Sequence, residues 1–429
     1  MLALGIPTKG SSQDTVQHLG LRQAIDSAYT HNRDLSLAQL EEKIAKSRWK
    51  ETDAVYLPQL DLSVTGLWSD NPLNVFGFKL QQQSVQQSDF DPTRLNNPAG
   101  RSDVITRLQL KQPLFNLDQV YLRQAAALQT EVFYRRTQRA REWLAFEVEQ
   151  AYLRLGLAHE VVKVFRQSLQ AAQSHDRFTR DRVSAGFLQE SDALNARVWV
   201  TQVETGLAEA ISGVRNGSDY LALLMGRPFG QVFVVDSLAY ENIAEISDVP
   251  GDRSDLLATK KALEAADKMI AGLRKGYLPR LNAFASYQLN DAGLFGFGSG
   301  SYLAGVQLSW DIFRGLATKN RIVTQQLERN KLANQLDKQQ TESQLELNRT
   351  KRQLADARYQ IRQQGVAVES AAEALRILQD RYEQGLVNST EVLSAQSQLS
   401  QQRLGSAQAR FVYQSTAAYF RFQTQIVQP

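Results

Sequence analysis

Four short segments of the chain alternate apolar or small residues with polar ones, and we expect strands there, at about 59–70, 103–114, 281–290 and 302–313. In the first segment the apolar or small residues are Leu60, Leu62, Val64, Gly66 and Trp68. Alternation with a period of two is typical of strands that have one apolar face. Each segment has about 10–12 residues, which is the length of a tilted strand that crosses a bilayer.

Two much longer segments have helical character. Residues from about 117 to 182 contain no proline and only one glycine, Gly156, and residues from about 317 to 384 contain only Gly365. Apolar residues recur every seventh position, at Val148, Leu155, Val162 and Leu169 in the first segment and at Leu347, Leu354, Ile361, Val368, Leu375 and Tyr382 in the second. Sustained heptads predict coiled packing against neighbouring helices. At 1.5 Å per residue, each helix would span about 100 Å.

The second half of the chain carries the landmarks of the first half in the same order. Three stretches match: 56–60 with 277–281, 113–116 with 311–314, and 182–187 with 381–386. We therefore expect an internal two-fold repeat of mixed α and β structure, in which each copy reads helix, strand, loop, strand, very long helix, tight turn and helix. The helix before the first strand is expected at about 21–56.

These landmarks divide the chain into four parts. We expect an irregular N-terminal segment at 1–20, repeat 1 at 21–226 with its turn at 182–190, a linker at 227–253 in the middle of the assembly, and repeat 2 at 254–429 with its turn at 381–389. The long loop at 71–100 separates the first two strands, and we expect it to face outside the cell.

Composition argues against several classes of function. The 49 Lys and Arg residues are nearly balanced by 45 Asp and Glu, and the arginines lie among acids and glutamines, so we expect no nucleic-acid binding. The chain has no cysteine, which excludes disulfides and thiolate metal sites. Its four histidines have no ligand spacing: they are His18, His31, His159 and His175. We expect no cofactor, no metal and no catalytic residue, and therefore not an enzyme.

Membrane insertion by helices is also not expected, because no stretch approaches about 18 apolar residues. The first seven residues are apolar but carry no basic group, and Pro7 interrupts them, so a signal peptide is absent from the sequence as given. Either an export signal has been removed or the start is misassigned. If the protein sits in a membrane, its strands must close into a barrel.

The chain resembles the TolC-like outer membrane factors, the outer membrane efflux protein family. The resemblance covers about 21–425 and rests on the pairs Leu57-Pro58 and Leu278-Pro279, the strand exit at 310–315, and two Arg-x-x-x-Gly-apolar turns. It implies a homotrimer in which each protomer contributes four strands to a single β-barrel. This barrel would lie in the outer membrane, in contact with its lipid. A long α-helical coiled-coil barrel then extends into the periplasm. The implied junctions between barrel and helices are at Pro58, Pro113 and Pro279.

Four strands cannot close a barrel alone, and an open sheet edge is not tolerated in lipid, so closure by several protomers is also expected on physical grounds. On this basis four apolar residues should face lipid: Leu62, Val64, Leu108 and Val306. Ser63 and Gln307 should face the lumen. The aromatic residues Trp68, Tyr287, Tyr302 and Trp310 are expected near strand ends, at the membrane interfaces.

The function implied by the resemblance is that of a passive exit duct, coupled through a periplasmic adaptor protein to an inner-membrane pump. Its cargo would be drugs or other small molecules. The outer-membrane duct of a type I protein secretion system is an alternative, because both systems use the same kind of duct. A non-membrane coiled-coil scaffold with a small sheet is a second alternative, and the strand alternation argues against it.

The two glycine turns are the candidate docking site for the adaptor in this family. The residues concerned are Arg182, Gly186, Phe187, Arg381, Gly385 and Leu386. Helix capping explains the glycines and the acids that follow them. It does not explain the arginine four positions before each glycine or the apolar residue after it. Duplication of the turn implies six near-equivalent docking turns in a trimer.

The residues that follow the turns are the candidate periplasmic gate. The family pattern has an acid six positions after the second glycine and another three positions later; here these are Glu391 and Ser394, so only the first is acidic. Asp192 holds the equivalent place in repeat 1. Val387 stands where the family has a basic residue that ties the closed tip, so that contact is not expected. Glu391 also fits the ordinary role of an acid at a helix start, and the sequence leaves both roles open.

Overall fold

The computed structural model describes residues 16–236, 249–294 and 297–424. Its helices are α1 (Leu21–His31), α2 (Arg33–Glu51), α3 (Pro72–Gln81), α4 (Pro92–Asn96), α5 (Leu117–Ser184), α6 (Glu190–Leu224), α7 (Ser254–Lys275), α8 (Ala317–Glu383) and α9 (Ser389–Thr424). Its strands are β1 (Val16–Leu19), β2 (Gln59–Ser69), β3 (Arg101–Phe115), β4 (Val232–Val235), β5 (Arg280–Asp291) and β6 (Ser299–Ser309). Short 3₁₀ helices occupy Thr52–Val55 and Gln87–Phe90.

Four of the strands form one antiparallel sheet in the order β2-β3-β5-β6. A single row runs across the whole sheet: Leu62 lies opposite Leu108, Leu108 opposite Tyr287, and Tyr287 opposite Tyr302. The central pair, β3 and β5, joins the two halves of the chain. Strands β2 and β6 are the edges of the sheet.

The two faces of this sheet differ sharply in chemistry. Residues directly opposite each other, and residues two apart on one strand, share a face. One face carries the row just described and further apolar residues at Leu60, Val64, Leu110, Val306 and Leu308. These side chains are exposed; Leu62 has 69% and Tyr302 has 85% of its surface accessible. The opposite face is mostly polar, with Asp61, Ser63, Arg107, Gln109, Gln288 and Ser301.

The sheet corrects two details of the expected strands. Strand β6 ends at Ser309 rather than at 313, because β5 begins at Arg280, just after Pro279, and offers no partner beyond the Arg280–Ser309 pair. Tyr287 and Tyr302 lie within their strands, so the expectation that they mark strand ends is wrong. Trp68 does lie at the end of β2, and Trp310 directly follows β6.

The N-terminal segment expected to be irregular contains a strand. Strand β1 pairs in parallel with β4, which lies within the expected linker at 227–253. Leu19 and Phe233 are almost fully buried in a core cluster with α1, α5 and α6, which explains why these short apolar runs pair. Residues 1–15 and 237–248 lie outside the described residues.

The helix expected at 21–56 is broken at Asn32. This residue has an extended backbone and is buried. Its Nδ2 donates to the carbonyl of Leu224 (3.0 Å), and its Oδ1 accepts from the N–H of Leu35 (3.0 Å), as a residue that caps α2. A side chain that satisfies two buried backbone groups therefore ends α1 and begins α2.

The described residues fall into two compact units. The first comprises described residues from 1–41, 134–257 and 336–429, and the second comprises residues from 42–133 and 258–335. Each unit takes residues from both halves of the chain, so the units cut across the division at 21–226 and 254–429. The four-stranded sheet belongs to the second unit.

The first unit contains the heptad positions of the long helices. Leu347, Leu354, Leu375 and Tyr382 of α8 are buried, and Ile361 and Val368 are partly buried. They pack on α9 through Tyr413, Ala417, Phe420, Val392 and Leu399. On α5, Val148, Leu155 and Val162 are buried as the spacing predicts. Packing along these seams, rather than intrinsic helix propensity, stabilises helices of this length.

Candidate functional site

The two glycine turns have the same backbone geometry. Gly186 and Gly385 have φ of +79° and +76°, a conformation that residues with a side chain rarely adopt. Each glycine N–H bonds to the carbonyl three residues earlier (3.0 Å in both turns). The N–H of the next residue bonds five residues back, from Phe187 to Arg182 and from Leu386 to Arg381 (2.9 Å in both). This pattern is the Schellman motif, and each arginine is the residue whose carbonyl closes it.

The side chains of the two arginines are not equivalent. The Arg182 guanidinium lies 5.1 Å from the ring of Phe178 and 5.7 Å from the ring of Phe187, within the range of cation–π attraction. Its Nη2 also donates to the carbonyl of Glu383 at the end of α8 (3.3 Å). The side chain of Arg381, in contrast, is exposed and forms no hydrogen bond or ion pair with any described residue. Repeat 1 therefore holds its arginine against the chain, and repeat 2 presents it to solvent.

An apolar cluster lies beneath both turns. Buried Tyr382, Val392 and Leu399 pack with partly buried residues from both hairpins, including Phe178, Leu188 and Val387. Val387 thus makes an apolar contact within this cluster. Outside the cluster, Phe187 and Leu386 keep 72% and 62% of their surface accessible. Each turn therefore presents one exposed apolar side chain at its tip.

Asp192 and Glu391 lie in the first turns of α6 and α9, and Ser394 lies in the second turn of α9. These three candidate gate residues differ in their contacts. The carboxylate of Asp192 accepts from the N–H of Gln189 (3.3 Å) and so caps α6. At the start of α9 the cap is Asn388, whose Oδ1 accepts from the N–H of Glu391 (3.0 Å). The Glu391 carboxylate is exposed and forms no hydrogen bond with a described residue, and Ser394 is exposed as well. Capping therefore accounts for Asp192 but not for the carboxylate of Glu391.

A polar contact that the sequence does not reveal lies beside these turns. His175 of α5 and Ser389, the first residue of α9, lie 2.9 Å apart between Nε2 and Oγ. The imidazole also packs on the ring of Tyr382, 5.3 Å away. Burial lowers the pKa of His175 below its ordinary value of 6.5, and the nearby Asp176 opposes that shift. No spacing in the sequence links two residues 214 positions apart, so no signal could have found this contact.

The three candidate junction prolines lie where helices and strands meet. Pro58 and Pro279 directly precede β2 and β5. Pro113 lies in β3, where the pairing with β5 shifts its register. The chain just before β2 and the chain just before β5 each accept one hydrogen bond from a side chain. Gln112 Nε2 donates to the carbonyl of Tyr56 (3.0 Å), and Trp310 Nε1 donates to the carbonyl of Tyr277 (2.9 Å).

Two features are absent from the described residues. No group of three His, Cys, Asp or Glu side chains within them is arranged to hold a metal ion. Among the helices that can be described, none combines the length and hydropathy of a membrane-crossing segment.

The chain belongs to the outer membrane efflux protein family, whose sequence model matches residues 24–227 and 246–421. The outer membrane protein OprJ of Pseudomonas aeruginosa is 25% identical over 399 residues, which is 88% of this chain and 78% of OprJ. The cation efflux system protein CusC of Escherichia coli K12 is 24% identical over 269 residues, 61% of this chain and 54% of CusC.

Solved structures share the fold. A crystal structure of CusC superposes with a TM-score of 0.80 at 18% identity, covering 94% of each chain. The CmeC outer membrane channel of Campylobacter jejuni superposes with a TM-score of 0.77 at 16% identity, covering 100% of this chain and 96% of CmeC. Homologues in this family are outer-membrane channels and not enzymes.

Proposed function

We propose that the chain is one protomer of a homotrimeric outer-membrane exit duct, the passive last component of a tripartite efflux system. The main support for the proposal is the exposed apolar row formed by Leu62, Leu108, Tyr287 and Tyr302. Such a continuous apolar surface on a soluble protein would promote aggregation, whereas in lipid it is the surface that a strand must present.

The edges of the sheet support the trimer. Strands β2 and β6 each have one side without a partner among the described strands. An unpaired strand edge in lipid leaves backbone groups without hydrogen bonds, at several kcal/mol for each group. Joining β2 of one protomer to β6 of the next removes every edge, and the polar face with Arg107, Gln109 and Gln288 then surrounds an aqueous lumen. The helical part would extend into the periplasm.

Efflux of small molecules or ions is favoured over protein secretion. CusC, which shares the fold, is named as a component of a cation efflux system. An inner-membrane pump would supply the energy and choose the cargo.

Adaptor docking is assigned to the two glycine turns, but not equally. The turn at Gly385 presents a free guanidinium at Arg381 beside the exposed Leu386. The turn at Gly186 presents Phe187, while its Arg182 is held by two rings and a carbonyl. We therefore expect an adaptor that contacts both turns to gain its stronger charge-assisted contact at the second one, where the guanidinium gives up no existing contact. Glu391 lies close by in sequence and is the candidate gate acid.

Oligomeric state and conductance test the proposal. Native mass spectrometry in detergent should give a trimer, and the same preparation should form ion-conducting channels in a planar bilayer. A monomer or dimer as the main species would overturn the duct. Extraction from membranes without detergent would instead favour a scaffold. Export of a small toxic compound, rather than of a protein substrate, in a host that lacks its own duct distinguishes efflux from type I secretion.

A further inference from the structure

The segment between β2 and β3, expected as an external loop, is folded. Asn71 caps α3 by accepting from the N–H of Leu73 (3.0 Å), and Asp91 caps α4 by accepting from that of Thr93 (2.8 Å). Val75 and Phe78 are buried. Residues 71–100, which we call the inserted segment, therefore have an internal structure of their own.

An ion pair and an aromatic pair join the parts of the inserted segment. Lys79 at the end of α3 pairs with the buried Asp89, and its ammonium holds the pKa of that carboxyl below its ordinary range. The rings of Phe76 and Phe90 meet edge to face with centroids 5.8 Å apart. Both contacts connect α3 to the 3₁₀ helix that follows, so these two parts of the segment are held together.

A buried polar network attaches this piece to the sheet. The carboxylate of Asp103 has no accessible surface and accepts from Gln82 Nε2 (2.9 Å) and Asn290 Nδ2 (2.8 Å). Gln82 also donates to the carbonyl of Ser102 (2.9 Å), and its Oε1 accepts from Arg101 (2.8 Å from Nε). Because a buried carboxylate left without donors is strongly destabilising, this attachment is not released by small fluctuations.

The network lies on the polar face of the sheet. Asp103 is four residues from Arg107 on β3, and Asn290 is two residues from Gln288 on β5, so each shares the face of the polar row. Ser299, opposite Asn290 on β6, donates from its hydroxyl to the carbonyl of Gln81. The inserted segment therefore packs against the face opposite the exposed apolar row, at the hairpin end of the strands.

We propose that the inserted segment is a plug inside the channel, which narrows the outer mouth and limits the size of the solutes that leave. The inference rests on the proposed trimeric duct, in which the polar face surrounds the lumen. Twelve strands, four from each of three protomers, spaced about 4.8 Å apart and tilted by about 40°, enclose about 24 Å between opposite backbones. A helix with its side chains is about 10 Å wide, so three inserted segments occupy much of that opening.

Replacement of the plug gives a direct test. Ser69 and Arg101 are directly paired, so residues 70–100 can be replaced by Asn-Gly, the two-residue turn that closes such a hairpin. The variant should remain a trimer in native mass spectrometry, and its single-channel conductance in a planar bilayer should rise at least about twofold, because the outer mouth conducts in series with the rest of the pore and removal of the plug takes away its resistance. A trimer with unchanged conductance would overturn the plug while leaving the duct intact. If the wild-type protein forms no channel at all, the duct itself fails.

If the variant that lacks the plug does not form a trimer, a labelling experiment tests the proposal instead. The chain has no cysteine, so a single introduced thiol is the only target of a thiol-reactive reagent. Phe90→Cys places the thiol on an exposed position of the plug, and Tyr302→Cys places it on the exposed apolar face. A bulky charged reagent should reduce the current through the Phe90→Cys channel by at least about half and leave the Tyr302→Cys channel unchanged. An unchanged current in fully labelled Phe90→Cys channels would contradict the proposal.

Discussion

His175 and Ser389 connect the two helical hairpins, with imidazole Nε2 and hydroxyl Oγ 2.9 Å apart beside the glycine turns. The bond joins α5 to the first residue of α9, and the ring of Tyr382 from α8 covers the imidazole. Other titratable groups near it are Asp176 on the same helix and the phenol of Tyr382. A single half-buried histidine thus contacts both helices of the other hairpin.

The packing of this region should weaken in mild acid. Burial lowers the pKa of His175 below 6.5, so the folded state binds its proton less readily than the unfolded chain does. The stability that neutral His175 contributes is complete above pH 6.5 and is lost as the pH falls from there towards the lowered value. Hydrogen exchange of amides near the turns should therefore be faster at pH 5.5 than at pH 7.5.

Two variants test this pH dependence. The His175→Gln variant, whose side chain cannot bind the proton, should lose most of the pH dependence, whereas His31→Gln on the exposed side of α1 should retain it. Equal pH dependence in all three proteins would show that His175 is not responsible.

Arginine on the apolar face should destabilise the membrane-inserted protein. Leu108 lies in the centre of the exposed apolar row, and the neighbouring Gln109 faces the other side, opposite Asp61. Leu108→Arg should cost about 2–4 kcal/mol in lipid, and Gln109→Arg should cost much less. Both free-energy costs can be measured by titrating, with urea, the folding of each variant into lipid vesicles. Comparable losses in the two variants would mean that the lipid-facing side has been assigned wrongly.

The two turn arginines should give opposite phenotypes. Arg381→Ala removes a side chain with no partner among the described residues, so we expect a stable trimer that no longer exports and no longer crosslinks to its adaptor. Arg182→Ala removes two ring contacts and one hydrogen bond, and should lower local stability by about 1–2 kcal/mol while export is largely kept. Export assays and hydrogen exchange separate these effects. Normal export by Arg381→Ala would exclude this arginine from docking.

Substitutions of the two acids after the turns should also have different effects. Three Glu391 carboxylates around the threefold axis would attract cations, so wild-type channels should prefer cations. Glu391→Gln should weaken that preference, measured from reversal potentials in a salt gradient. Asp192→Asn is the matched control, because its carboxylate caps α6: it should leave ion selectivity unchanged and destabilise the helix start by about 0.5–1 kcal/mol. If selectivity is the same in Glu391→Gln and wild type, Glu391 has no gating role.

Local rules were sufficient for much of the fold. Alternation of apolar and polar residues located β2 and β3, because side chains of strands point to opposite faces, and heptad spacing identified the buried positions Leu347 and Leu354 of α8. Glycine at positions 186 and 385 predicted both helix ends, because few other residues adopt their backbone conformation. These features depend on residues close together in sequence.

Features that depend on distant partners could not be predicted. Asn32 breaks a helical stretch only because the carbonyl of Leu224 is there to accept from it. The inserted segment looked like a loop, since its attachment depends on Asn290 and Ser299 of the other half of the chain. Likewise the difference between Arg182 and Arg381 arises from Phe178 and from a carbonyl of another helix. The repeat in the sequence suggested that the two arginines are equivalent, but different neighbours in the fold make their side chains differ.

The pairing of β3 with β5 constrains the order in which the protein can be made. Asp103 and Asn290 meet across this pair although 187 residues separate them. The hairpin of β2 and β3 can form as soon as residue 115 is available, but the free side of β3 then has no partner until residue 280 and those after it arrive. Contacts between distant segments form slowly, and an unpaired strand is a template for wrong association. Completion of the sheet is therefore a late step of biogenesis, and until then the first half of the chain must be kept from pairing with other copies.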